Sequence, residues 1–200
     1  MADGKVDLRI RKTRRAIRDA VASLLATRDA SEITPKDVAD AALVSKKTFL
    51  AHYPGVGAVV REMEDEALAE VDGVLDEVQA TSAEGVAAVC ERLASLAHDG
   101  SSAFGRLAGS TAKGELFNRL RGSLSSRLTR LSKLPAEASA RASLVADFVA
   151  GGAVSTFERW LGAGEGVPAS EVGRMIWEAI GLGAKSLGAG DEEDKPSGPE

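Results

Sequence analysis

Cysteine, histidine and aromatic side chains are scarce in this chain of 200 residues, which has one Cys, two His, five Phe, two Trp and one Tyr. A single thiol, Cys90, excludes an intrachain disulfide, and His52 and His98 are too far apart in sequence to suggest a metal-ligand cluster. Cys90 is expected on the core face of a helix. No stretch approaches the ~18 to 20 uninterrupted apolar residues of a membrane span, and the opening residues lack the apolar core of a secretion signal. No nucleophile–base pair, paired-carboxylate motif, P-loop or dinucleotide loop is visible. These absences point to a cytoplasmic protein that is not an enzyme and has no metal, cofactor or membrane partner.

What is present is Ala, Val and Leu in helical rather than alternating patterns, with 44% hydrophobic and 28% charged residues. An all-α soluble fold is expected. The net charge of -5 hides an asymmetry. Residues 1–62 carry 12 Lys/Arg against 8 Asp/Glu, net +4, whereas residues 63–200 carry 13 against 22, net -9. A basic front on an acidic body directs the front toward an acidic partner.

Residues 5–18, KVDLRIRKTRRAIR, hold seven basic side chains and one acid, and read as a basic arm running into a first helix that ends near Thr27. The segment ITPKDVADAA then starts a second helix, with Thr34 as cap, Pro35 at the first helical position and Asp37 where a capping-box acid belongs. Ser45 caps a short third helix over Lys46 to Tyr53, stopped by Pro54 and Gly55. Helix, tight turn and short helix make a helix-turn-helix, whose second helix offers its first residues to base edges in the major groove. Lys46, Lys47 and Thr48 stand at those positions, where lysine donates to guanine or phosphate and threonine to phosphate. Ala39 is small where the two helices cross, and Val38, Val44 and Phe49 are expected beneath them.

The run from Ile17 through ITPKDVADAALVSKKTFLAHYPG resembles the N-terminal DNA-binding domain of TetR-family transcriptional regulators, over about residues 10–62. That resemblance implies a homodimeric repressor that binds double-stranded operator DNA and is released by a small effector. It places DNA contacts at Thr34, Ser45, Lys46, Lys47, Thr48, His52 and Tyr53; Arg11, Arg14 and Arg15 of the basic arm join the candidate set on charge. Three positions depart from the family pattern: Leu43 stands where the turn usually has Gly, Leu50 where Tyr is usual, and Val56 where a phosphate-binding Lys is usual. These departures keep a second reading open, a helical effector-binding or protein-interaction bundle whose degenerate helix-turn-helix does not bind DNA.

The expected organisation is a three-helix DNA-binding domain with its arm over residues 1–55, an effector-binding and dimerisation domain over 56–187, and a disordered tail over 188–200. In the body, helices are expected near 56–79, 84–99, 101–109, 113–133, 136–162 and 168–187. The helix 136–162 is apolar or small around most of its circumference, so it needs a partner on two faces. The resemblance implies that it and the last helix pair across a two-fold axis. It also implies an effector pocket in the middle of the body, for which Phe104, Leu107, Leu116, Phe117 and Leu120 are candidate linings; their thin polar complement suits an apolar or amphipathic effector.

Overall fold

The computed structural model describes residues 3–78, 80–131, 139–163 and 166–188, except for the side chains of residues 3–7, 131, 139 and 182–188. Helices α1 (Asp3–Leu25), α2 (Pro35–Ala41), α3 (Lys46–His52), α4 (Val56–Glu77), α5 (Ala83–His98), α6 (Ala103–Ala108), α7 (Lys113–Leu131), α8 (Ser139–Ala163) and α9 (Ala169–Gly188) follow one another, with a 3-10 turn at Ala30–Glu32. No strand occurs among the described residues. The all-α expectation therefore holds, with helix ends within a few residues of those read from sequence. The expected helix start at 136 and the expected disordered tail lie outside the described residues, except for Gly188 at the end of α9.

Local chemistry explains the shortest elements. The Thr34 hydroxyl accepts the Asp37 N–H at 3.2 Å while the Asp37 carboxylate accepts the Thr34 N–H at 2.8 Å, so α2 opens on a reciprocal capping box with Pro35 behind it. Ser45 Oγ accepts the Thr48 N–H at 2.9 Å and starts α3 in the same way. Without these caps two helices of seven residues would be marginal, because nucleation is unfavourable and few intrahelical bonds follow it.

One apolar core runs the length of the molecule. Ile17, Val21 and Leu25 of α1 meet Val38, Phe49, Val59 and Met63, and the same cluster continues through Phe104, Leu107, Leu116 and Phe117 to Phe157 and Ile176. Phe49 is fully buried, a burial that contributes about 1.5–3 kcal/mol. In the body, α5 packs along α9 and α7 along α8, and α4 reaches both halves through contacts with α1, α5, α6 and α7. At Gly173 an added Cβ would lie 2.5 Å from the Ala87 Cα, so α9 and α5 approach backbone to backbone.

The basic segment differs from its expectation as an arm. It is helical from Asp3, and α1 is one helix of 23 residues. Its cations from Arg9 onward therefore sit on a continuous helix instead of on a separate arm. Two of them, Arg14 and Arg18, face α4, as described below.

Candidate functional site

The turn between α2 and α3 is held by Leu43 N–H donating to Asp40 O at 3.3 Å and Val44 N–H donating to Ala39 O at 2.9 Å. Leu43 has φ 55, the left-handed geometry usually left to glycine, and its side chain is 92% exposed. The turn thus keeps its conformation despite the substitution. Ala39 is buried where the two helices cross, with Val38 and Phe49 beneath, as expected, and Val44 partly buried against them.

Lys46 and Lys47 are exposed at the start of α3, and no described residue pairs with either. Thr48 Oγ1 lies 2.8 Å from Ser45 Oγ, so these two hydroxyls form a small polar group at the same helix end. Leu50, one turn on, is also exposed. Thr34 is exposed at the start of α2, and His52 is half-buried in the last turn of α3. Exposed Arg9, Arg11 and Lys12 add cations on α1 with which no described side chain pairs, whereas Arg15 lies 3.9 Å from Asp19.

Two expected DNA contacts, Tyr53 and Arg14, touch each other. Tyr53 is 3% exposed; its ring lies under the Arg14 guanidinium, 4.8 Å from centroid to Cζ, and Arg14 Nε donates to its hydroxyl at 3.2 Å. The hydroxyl donates in turn to Glu62 Oε1 at 3.0 Å, and Arg14 also pairs with Glu62. Arg18 joins them, 3.6 Å from Glu62 and paired with Glu66. Burial and the bond to the Glu62 carboxylate push the Tyr53 hydroxyl above its ordinary pKa, so it remains a neutral donor. This cluster ties the end of α3 to α1 and α4. It fixes the aim of α3; Tyr53 is buried in it, whereas the Arg14 side chain remains 40% exposed.

Below this head lies a partly open cavity of about 250 Å³ lined by α4 to α9. Phe104, Phe117 and Leu120 line it, as expected, and the first two rings meet edge to face with centroids 6.2 Å apart. Leu107 and Leu116 do not line it: both are fully buried in the solid core beside it. The sequence candidates covered only a small part of the lining; among those unsuspected are Asp72 of α4, Cys90 of α5 and Trp177 of α9. Asp72 carried a signal, an acid one helical step from Leu68 and Leu75 within an apolar stripe. Burial, then the nearby Glu91 charge, raises the Cys90 thiol to about 11, so it is a neutral wall group and not a nucleophile.

Helix α6 stands between cavity and head. Phe104 forms cavity wall, and two residues later Arg106 donates to Asp19 of α1 at 2.5 Å. Just beyond α6, Thr111 donates through its N–H to Leu25 O at 3.0 Å and through its hydroxyl to Arg28 O at 2.8 Å. The first turn of α6 is held by Glu70 of α4. At Gly105 an added Cβ would come within 2.4 Å of Asp99 O, so α6 is also pressed on the end of α5. The α6 segment therefore touches cavity, α4 and α1 at once.

No protein-family model matches the sequence, and no curated protein matches it. Solved structures do match. A TetR-family transcriptional regulator from Streptomyces coelicolor superposes with a TM-score of 0.59 at 20% identity, covering 90% of this chain and 86% of that one. A TetR transcriptional regulator from Streptococcus agalactiae 2603V gives 0.54 at 20% identity over 90% and 99% of the two chains. The fatty acid degradation regulator FadR from Bacillus halodurans gives 0.56 at 14% identity over 84% and 94%. The chain therefore has the fold of TetR-family transcriptional regulators, a helix-turn-helix head on a larger helical body.

Proposed function

We propose that this protein is a DNA-binding transcriptional regulator of the TetR type, a cytoplasmic homodimer that represses from an operator and leaves it when a small effector fills the cavity. Residues 1–55 form its DNA-binding part and 56–187 its effector-binding and dimerising part. Lys46, Lys47 and Thr48 meet the major groove, with Ser45, Thr34 and His52 at its edges. Arg9, Arg11 and Lys12 of α1 supply phosphate contacts that do not read sequence.

One observation carries this reading: the cavity wall at Phe104 and the α1 anchors at Arg106 and Thr111 belong to a single short segment. A guest that displaces Phe104 shifts the base on which the head is mounted. Two recognition helices set for half-sites one DNA turn apart tolerate little change in spacing.

Dimerisation is supported by an exposed apolar surface on α8, where Phe148 is 80% and Leu144 71% exposed, together with Met175 of α9 at 53%. Large aromatic and aliphatic side chains in such a patch mark an association surface. The open space beside Gly152 gives a second backbone room to approach.

The rival reading, a bundle that no longer binds DNA, draws on Val56, Leu50, the burial of Tyr53 and the pairing of Arg14 with Glu62. The left-handed geometry kept at Leu43 weighs against it, since a head without function has no reason to retain a strained turn. Genome-wide capture of bound DNA, followed by titration of the recovered sequence with salt, separates the two. A palindromic sequence bound with a steep salt dependence is expected; capture no different from random DNA would sink the regulator.

A further inference from the structure

The described lining of the cavity contains no Lys, Arg or His. The lining residues are apolar except for Ser123, Cys90, Trp177 and Asp72. Asp72 is half-buried, and no described residue donates to it or pairs with it. Arg127 of α7 does not answer it: it is committed one turn further along α4, to Asp76 at 2.5 Å and to Leu75 O at 3.2 Å. A carboxylate drawn partly out of water without a counter-charge is unfavourable, and a bound cation relieves it. Trp177 belongs to the same lining, and an indole ring attracts cations as well.

We propose that the effector is a slender apolar molecule with a cationic head, an aliphatic or aryl-alkyl amine, whose ammonium group is met by Asp72 while its apolar part fills the space between Phe104, Phe117 and Phe157. This rests on the effector reading above and adds the ligand's chemistry to it. Size limits the class: about 250 Å³ lies below the ~300–1,000 Å³ of pockets for drug-sized molecules, so the guest is narrow or small. Charge limits it further. A carboxylate of the same shape would meet Asp72 with no cation on the described wall to balance either group, and a neutral alcohol would gain no ion pair.

The test uses octylamine, octanol and octanoate, which share a tail and differ in the head. Each is titrated into the full-length protein near pH 7.5, read by tryptophan fluorescence, since Trp177 lines the cavity. Octylamine should bind about tenfold tighter than octanoate, the combined scale of a partly buried ion pair and a cation–π contact. Asp72→Asn, nearly the same shape, should bring amine and alcohol to similar affinity, and Asp72→Lys should turn the preference to octanoate. Octanoate binding as tightly as octylamine, an unchanged amine preference in Asp72→Asn, or no binding by any of the three would overturn the proposal. A parallel measurement of operator occupancy keeps the two readings apart. If octylamine binds with the expected Asp72 dependence and the protein stays on its DNA, the ligand class stands and the release mechanism falls.

Discussion

Glu70 Oε2 accepts the backbone N–H of Phe104 at 3.0 Å, and its other oxygen accepts the Ala103 N–H at 3.0 Å. One carboxylate of α4 thereby takes two of the unsatisfied donors at the start of α6, beside the positive end of the helix. Glu70→Gln keeps the size but turns an amide NH2 toward one of those donors. A destabilisation of about 1–3 kcal/mol is expected, with the loss in the urea midpoint and an unchanged slope. Wild-type stability in this variant would mean that α6 is held in place by its apolar side alone.

Leu43→Gly should act in the opposite direction. A side chain at φ 55 carries a steric penalty that glycine lacks, about 1–2 kcal/mol, and at 92% exposure Leu43 has almost no packing to lose. Part of that gain is offset by the greater freedom of glycine in the unfolded chain. A melting temperature raised by a few degrees, with operator contacts unchanged, is the expected result; a lowered one would show that the exposed leucine is covered by a partner.

Lys46→Ala and Lys47→Ala distinguish base reading from phosphate anchoring. Loss of a base contact should weaken operator binding by ~1–3 kcal/mol and relax preference at one position, whereas loss of a phosphate contact should weaken all sequences alike. Replacing Arg9, Arg11 and Lys12 by alanine should leave sequence preference intact and flatten the dependence of log affinity on log salt by about 0.9 for each phosphate contact removed. Binding and slope equal to wild type in all these variants would remove α1 and α3 from the interface.

Phe148→Glu places a charge in the exposed face of α8. If that face is the dimer seam, removal of a central aromatic contact weakens association by at least ~2 kcal/mol, roughly thirtyfold. Sedimentation at micromolar concentration should then show a shift toward monomer, while the helical circular dichroism signal stays as it was. A wild-type protein already monomeric under these conditions contradicts the paired recognition helices.

Cys90, raised by burial from the ordinary 9 to about 11, makes two statements about pH. Near pH 8 its reaction with an alkylating reagent should be roughly two orders of magnitude slower than that of free cysteine, and slower still with the cavity filled. A group whose folded pKa is raised stabilises the fold fully below its unfolded value and loses that contribution as pH climbs through the folded one. Native stability should therefore decline between about pH 9 and 11, and Cys90→Ser should flatten that decline. Fast labelling at pH 8 would show that the thiol is not enclosed as described.

The caps at Thr34 and Ser45 were legible in the sequence because the atoms that form them lie within three residues. The fate of Tyr53 and Arg14 was not, because it is decided by Glu62, which folding brings across from another helix. A basic stretch such as residues 5–18 has the same composition as an extended arm or as a helix, and continuity with the apolar positions Ile17 and Val21 settles it as helix. Phe104, Phe117 and Leu120 were separable from Leu107 and Leu116 only through packing: each has the same helical spacing, and what differs is whether the opposite wall comes close enough to fill the space.

The seam at Gly173 is a point where two walls of the cavity can come no closer to each other. With the Ala87 backbone already at the distance a single methyl group would occupy, α9 has no room to press further onto α5. The spacing of these two helices is thus set by backbone contact at one point, and the space between Cys90 and Trp177 further along them cannot be closed by sliding α9 onto α5.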